Sequence, residues 1–423
     1  MRKYLLILIY IVILYGGNSF AQKDFLNEYI TIAIENSPEI RAKESEIASA
    51  KENINGKSAL QDAEFGVNIL PEPMMNVNGE QVVTLSLMQM FPFPGTLSNQ
   101  RKEMQCMTDG LTQAKKKITA DLVYKVKVAY YEMVLLNEQI KVTEQKSALL
   151  KQTTESAYQK YASANPNSKQ KSQLPELINL QLKAEELNLT LETLKDNLTV
   201  KKKAFNVLLH RDENLSVTVA DSVVEEIYDI DAFTFENIET FSPMLAMLRA
   251  DSKASMHAVE MQKRMGLPMV GVGVEYMINK ETAMPKMEDM NGKNMFMAMF
   301  KVSLPLNRKK YNSNIAAAKL KSESIASNYE QTKDNIKAEF LNLEQNYLNE
   351  KKKIALYDRQ MQLIEENIKI LNVSYANNQA SVTDLLNIEE KLLDYKLKKS
   401  LAVVNINKII AKLQTMVSDY EEI

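Results

Sequence analysis

The chain has 423 residues, a formal net charge of −2 and a 45% share of apolar residues. A near-neutral balance excludes the strongly basic surface that nucleic-acid binding requires. One cysteine, Cys106, excludes an internal disulfide, and two histidines, His210 and His257, exclude a histidine metal cluster.

Met1-Arg2-Lys3 leads into an uncharged apolar run, Tyr4 to Tyr15, and then into Gly16-Gly17-Asn18-Ser19-Phe20-Ala21. This order predicts a secretory signal peptide over 1–21, cleaved after Ala21. The run is short for a membrane-spanning helix, which makes a permanent anchor the weaker reading. No later stretch approaches ~20 uncharged apolar residues. A membrane-embedded form would therefore need β-strands whose backbone groups pair in a closed barrel.

The remaining chain is built twice. Ser37-Pro38 recurs as Ser242-Pro243, Phe93-Pro94 as Leu304-Pro305, and Tyr161-Ala162 as Tyr375-Ala376. Three landmarks in one order define a first repeat over 22–210 and a second over 240–423. Each reads as helix, strand, loop, strand, very long helix, turn and long helix. In the first repeat Leu111, Ala114, Ile118, Leu122, Val126, Ala129, Met133, Leu136 and Ile140 advance by threes and fours. That spacing, repeated in Leu177 to Leu198, Ile354 to Leu371 and Val403 to Leu413, predicts coiled-coil rods. A helix from Leu97 to Tyr161 would extend roughly 100 Å.

Period-two segments lie between the rods, in strand pairs at about 63–93 and 268–305. Phe65, Val67 and Ile69; Val83, Leu85, Leu87, Phe91 and Phe93; Val270, Val272, Val274, Tyr276 and Ile278; and Phe296, Ala298, Phe300, Val302 and Leu304 each form an apolar face. Such strands suit a membrane barrel or a half-buried sheet. Four cannot close a barrel, since natural ones begin at about eight; three copies would supply twelve. Residues 211–239 are acidic and irregular, and read equally as a small mid-rod domain or a solvated linker.

The order of elements, the duplication and the strand exits Gln89-Met90-Phe91-Pro92-Phe93-Pro94-Gly95 and Val302-Ser303-Leu304-Pro305-Leu306 resemble the TolC-like outer-membrane efflux proteins. The Phe-Pro-Gly exit looks most like the heavy-metal branch (CusC/CzcC-like). The resemblance implies a mixed α+β membrane protein, a homotrimer in which an α-helical coiled-coil barrel continues a twelve-stranded transmembrane barrel, four strands per chain. It also implies a Gram-negative outer membrane location extending into the periplasm, a periplasmic adaptor, and an inner-membrane pump of the resistance-nodulation-division type. Family members close the periplasmic entrance near the second helix turn, here Tyr375 to Asn387. Asp384 and Asn387 match the two acidic tunnel positions, and Asn378 the usual turn glycine. Ala380 stands where a basic lock residue is expected, a departure from the pattern. Read from residues alone, Asp384 stabilises a helix start capped by Ser381, and Tyr375, like Tyr161, packs at a rod end.

Methionine is abundant, 23 residues. If the apolar strand faces meet lipid, Met88, Met90, Met269, Met277, Met295, Met297 and Met299 point to the lumen beside Glu275 and Lys301. Met74, Met75, Met284, Met287 and Met290 would lie in external loops. Thioether sulfur favours Cu(I) and Ag(I), which suggests a weak relay rather than a high-affinity metal site; flexible packing is the competing reading. No G-x-S-x-G, Walker, H-E-x-x-H or Cys-x-x-Cys motif occurs, so neither catalytic residues nor a cofactor are expected. The function read here is a passive exit duct for metal cations, with multidrug efflux or type I secretion as the alternative. A soluble periplasmic adaptor is the remote one.

Overall fold

The computed structural model describes residues 25–162, 174–226, 233–283, 285, 287–377 and 379–417. The expected signal peptide, the first turn over 163–172 and Asn378 lie outside the described residues. A first helix, α1, covers 25–36. It stops at Ser37, whose hydroxyl accepts the Ile40 amide at 3.3 Å, and Pro38 opens α2, Pro38–Lys57. Proline at the first helical position lacks only an N–H that would go unused. Ser242-Pro243 repeats the device between α5, Phe235–Phe241, and α6, Pro243–Met265. The long helices are α3, Thr96–Ala162; α4, Leu174–Leu208; α7, Arg308–Ala376; and α8, Val382–Val417.

Four strands form one antiparallel sheet in the order β1, Glu64–Asn76; β2, Gly79–Phe91; β3, Met269–Lys280; β4, Met295–Ser303. The β1–β2 register breaks between Ile69 and Met74, where Pro71 and Pro73 remove two N–H groups. A two-residue turn follows, and Gly79 leaves it at φ 108°, a conformation that glycine adopts at little cost. A Cβ there would lie 2.4 Å from the Lys280 carbonyl oxygen. The strands begin and end within two residues of the outer limits 63–93 and 268–305, while β1 runs on to Asn76 and β2 starts at Gly79, beyond the alternating segments.

The residues divide into two units, and both sequence repeats contribute to each. In the unit made of 25–41, 116–243 and 334–417, Tyr29, Tyr130, Met133, Phe205 and Leu209 centre the main core. Tyr29 meets Phe205 edge-on with centroids 5.2 Å apart. Ion pairs identify helix neighbours: Glu132 and Glu144 of α3 with Lys201 and Lys195 of α4, Glu132 and Lys146 of α3 with Lys408 and Asp394 of α8, and Glu339 and Asp358 of α7 with Lys412 and Lys399 of α8. Singly each contributes little. Together they place α3 and α8 inside, flanked by α4 and α7.

Residues 211–226 contain neither helix nor strand. They form a strap held by side chains of the rods. Asn206 of α4 donates to the carbonyls of Glu213 and Leu215 at 3.0 and 2.8 Å. Asn407 of α8 accepts the Glu226 amide at 3.0 Å and donates to the Val224 carbonyl at 2.8 Å. Both asparagines are fully buried. Between them Tyr29 accepts the Thr218 amide at 2.9 Å. Residues 211–226 therefore pack on the rod, and α5 adds a helical turn that the irregular composition did not announce.

In the other unit, 42–115 with 244–333, the same four-wide order recurs. Lys115 of α3 pairs with Glu44 of α2, His257 of α6 meets Asn99 of α3, and Ser255 of α6 meets Ser322 of α7. The helices thus run α2, α3, α6, α7, matching the strands that each precedes or follows.

Candidate functional site

Register assigns every sheet side chain to a face. Phe65 lies opposite Leu87 and Val274, and Leu85 opposite Val67 and Tyr276. Val272 lies opposite Phe300, and Val270 opposite Val302. One face is accordingly apolar across all four strands, and it is bare: Ile69 is 72% exposed and Phe300 82%. A folded chain rarely leaves so large a continuous apolar patch in water.

The second face carries all seven strand methionines expected opposite the apolar one. Met88 lies in one cross-strand row with Gly273 and Met299, and Met90 with Gly271 and Lys301. Ser86, Glu275 and Met297 make the next row, then Thr84, Met277 and Met295; Met269 pairs with Ser303. Two glycines make room here. A Cβ on Gly271 would lie 2.4 Å from the Met90 sulfur and 3.3 Å from the Met88 sulfur. Both thioethers therefore converge over one glycine. At Gly273 a Cβ would press on the Leu87 carbonyl oxygen at 2.7 Å.

Met74 and Met75 lie in β1 itself rather than in a connecting loop. After the proline break the strand re-pairs with β2, Met74 opposite Gln81 and Met75 opposite Glu80. Met287 and Met290 are exposed around a short 3-10 turn, Glu288–Met290; Met284 lies outside the described residues. Among the described residues no group of three or more His, Cys, Asp or Glu side chains could hold a metal ion, and no helix is long and apolar enough to cross a membrane.

At the α7–α8 turn, Asp384 and Ser381 cap α8 reciprocally. The Asp384 amide donates to Ser381 Oγ at 3.0 Å, while the Ser381 amide and hydroxyl donate to Asp384 Oδ2 at 3.0 and 2.7 Å. The Ser381 backbone bond, then its hydroxyl, holds this carboxyl below its ordinary range. Asn387 is exposed one turn further along α8, and Tyr375 is half-buried at the end of α7. Leu386 of the same helix packs on Leu150 and Leu180. At the other end of α3, burial and then Asp109 raise the Cys106 thiol, Lys253 opposing, which keeps it protonated and unreactive.

Sequence reading missed a second set of apolar stripes. Ile178, Leu182, Leu189, Val200 and Val207 of α4 are exposed, as are Leu341, Leu348, Leu356, Leu363 and Ile370 of α7. Their helical spacing, steps of four, seven and eleven in α4 and of seven or eight in α7, was legible beside the core stripes, but periodicity alone does not tell which stripe the same chain covers.

A four-stranded sheet leading into paired long helices recurs in several solved outer-membrane channel proteins. The chain is alike in structure to CusC, with a TM-score of 0.75 over 93% of this chain and 92% of that one at 14% identity. It is similarly alike to VceC of Vibrio cholerae, 0.74 over 93% and 96% at 14%, and to the CmeC outer membrane channel of Campylobacter jejuni, 0.69 over 94% and 87% at 14%. At these identities the likeness is one of fold. No protein-family profile matches the sequence, and no curated protein matches it.

Proposed function

We propose that three copies of this chain close into an outer-membrane exit duct of a tripartite efflux system, working with a periplasmic adaptor and an inner-membrane pump. One observation carries the reading: a sheet of four strands with two edges and a largely exposed apolar face. Edge strands demand partners, and β4 of one copy beside β1 of the next continues the antiparallel order. Three copies give twelve strands, within the range of natural barrels. The bare stripes of α4 and α7, flanking the rods, would meet in the same head-to-tail contact, which closes when the rotation allows. The lipid-facing surface is then the apolar one. That the structures alike in fold are channel proteins fits a passive conduit rather than an enzyme.

The methionine face would line the lumen. Soft thioethers, two of them converging over Gly271, suit passage of Cu(I) or Ag(I) without tight retention. At the periplasmic end, three-fold symmetry would gather three copies of Asp384 and Asn387, with Tyr375 beside them, into the entrance. The cap geometry keeps Asp384 charged.

Purified full-length protein should migrate in detergent as a heat-dissociable trimer and conduct ions in planar bilayers. A monomer in both buffer and micelles refutes the duct. Replacing the seven lumen methionines with leucine should sensitise cells to copper and leave drug resistance intact. Unchanged copper tolerance removes the metal assignment and leaves organic compounds as the cargo.

A further inference from the structure

The apolar face does not end at the strand. From Phe300 through Val302, Leu304 and Leu306, alternate residues are exposed and apolar, Leu306 at 86%. The run passes directly into Arg308, Lys309 and Lys310, all exposed in the first turn of α7. Three cations there face the positive end of the helix dipole, an arrangement that costs stability. No acidic residue stands in that first turn to offset it. Arg308 is occupied by the Gly266 carbonyl at 3.2 Å, and Lys310 has the Tyr311 ring at 5.8 Å. Among the described residues Lys309 has no ionic or hydrogen-bonding side-chain partner. Exposed Arg101 and Lys102 near the start of α3, two helices away in the order α3, α6, α7, have none either. The opposite end of the sheet is more acidic: Glu72, Glu281, Glu288 and Asp289 are exposed there with Lys280 and Lys293, while the collar end adds Asp62 and Glu64.

We infer that Lys309 and Lys310, with Arg101 and Lys102, form a cationic collar that binds anionic phospholipid headgroups where the apolar band ends. The inference rests on the membrane reading above and adds which lipid the inner edge selects. Greasy side chains adjoining unpaired cations match a bilayer boundary, acyl chains against Phe300 to Leu306 and phosphodiesters against the collar. Juxtamembrane cations attract acidic lipid by about 1 kcal/mol each, roughly fivefold in partition.

The test uses the full chain presented to vesicles of phosphatidylcholine alone or containing phosphatidylglycerol, read by flotation and by lipid retained in native mass spectrometry. Wild type should favour the acidic vesicles, and the preference should fade in high salt. Lys309→Gln with Lys310→Gln should reduce that preference about thirtyfold while leaving uptake by neutral vesicles unchanged. Lys319→Gln with Lys321→Gln, further along α7, should retain it. Excess inorganic phosphate should not displace the lipid; displacement would mark a free-anion site and overturn the assignment. So would equal uptake by both vesicles, or a preference unaltered in the collar variant. Uptake by neither vesicle removes the membrane reading itself, and the collar with it.

Discussion

Asn407→Leu should release the strap from α8. The substitution nearly preserves volume but removes a fully buried amide that joins the Glu226 N–H at 3.0 Å and the Val224 carbonyl at 2.8 Å. Two neutral hydrogen bonds contribute about 1 kcal/mol each, and a backbone group stranded against leucine loses about 1–3 kcal/mol. Because the strap is half-buried, it can lift and rehydrate, so the loss is set near 2 kcal/mol, roughly a thirtyfold rise in the open population. Hydrogen exchange resolves where this happens. The Glu226 amide should exchange about thirtyfold faster, while the Thr218 amide, held separately by Tyr29 at 2.9 Å, keeps its protection. Equal acceleration at both would mean that the strap opens as one piece. No acceleration at Glu226 would mean that Asn407 does not hold it, and the reasoning fails.

Phe205→Ala should lower stability by about 3–5 kcal/mol, read as a reduced urea midpoint, because Phe205 is buried against Tyr29 and Tyr130. Phe300→Ala, on the bare face, should leave that midpoint nearly unchanged and impair vesicle insertion instead. Glu132 lies between Lys201 at 2.9 Å and Lys408 at 3.0 Å. Burial raises its carboxyl, but the two lysines outweigh burial and hold it below the ordinary 4.5. A depressed carboxyl stabilises the folded state above its unfolded value and loses that contribution as pH falls through the folded one. Glu132→Gln should therefore lower stability by a constant amount above about pH 6, converge on wild type in acid, and so flatten the curve below about pH 4.5; an unchanged acid limb would show that the pairs contribute nothing.

Much of the fold was legible because its signals are local. Period two placed all four strands, since alternation is a property of the pleat, and Ser37-Pro38 and Ser242-Pro243 carry their own helix-start chemistry. The methionine face followed once the apolar face was assigned, and register joined its rows. What stayed hidden depends on groups distant in sequence. Asn206 and Asn407 look like ordinary polar residues in helices until the strap crosses them. The exposed stripes of α4 and α7 resemble the buried ones, because burial is decided by which helix happens to be the neighbour. Asp384 carried two readings in sequence, and its contact with Ser381 accounts for the carboxylate by helix capping.

Pro71 and Pro73 bear on the life of a chain before it meets its equals. A bare strand margin is adhesive toward any extended peptide in the compartment, including wrong copies of itself. The irregularity that Pro71 and Pro73 mark between Ile69 and Met74 interrupts β1, and the regular stretch before it runs only from Glu64 to Leu70. In the proposed trimer, joining to β4, itself only 9 residues long, would ask for little more than that reach. Runaway stacking into fibres, which rewards long uninterrupted ladders, is denied the rest.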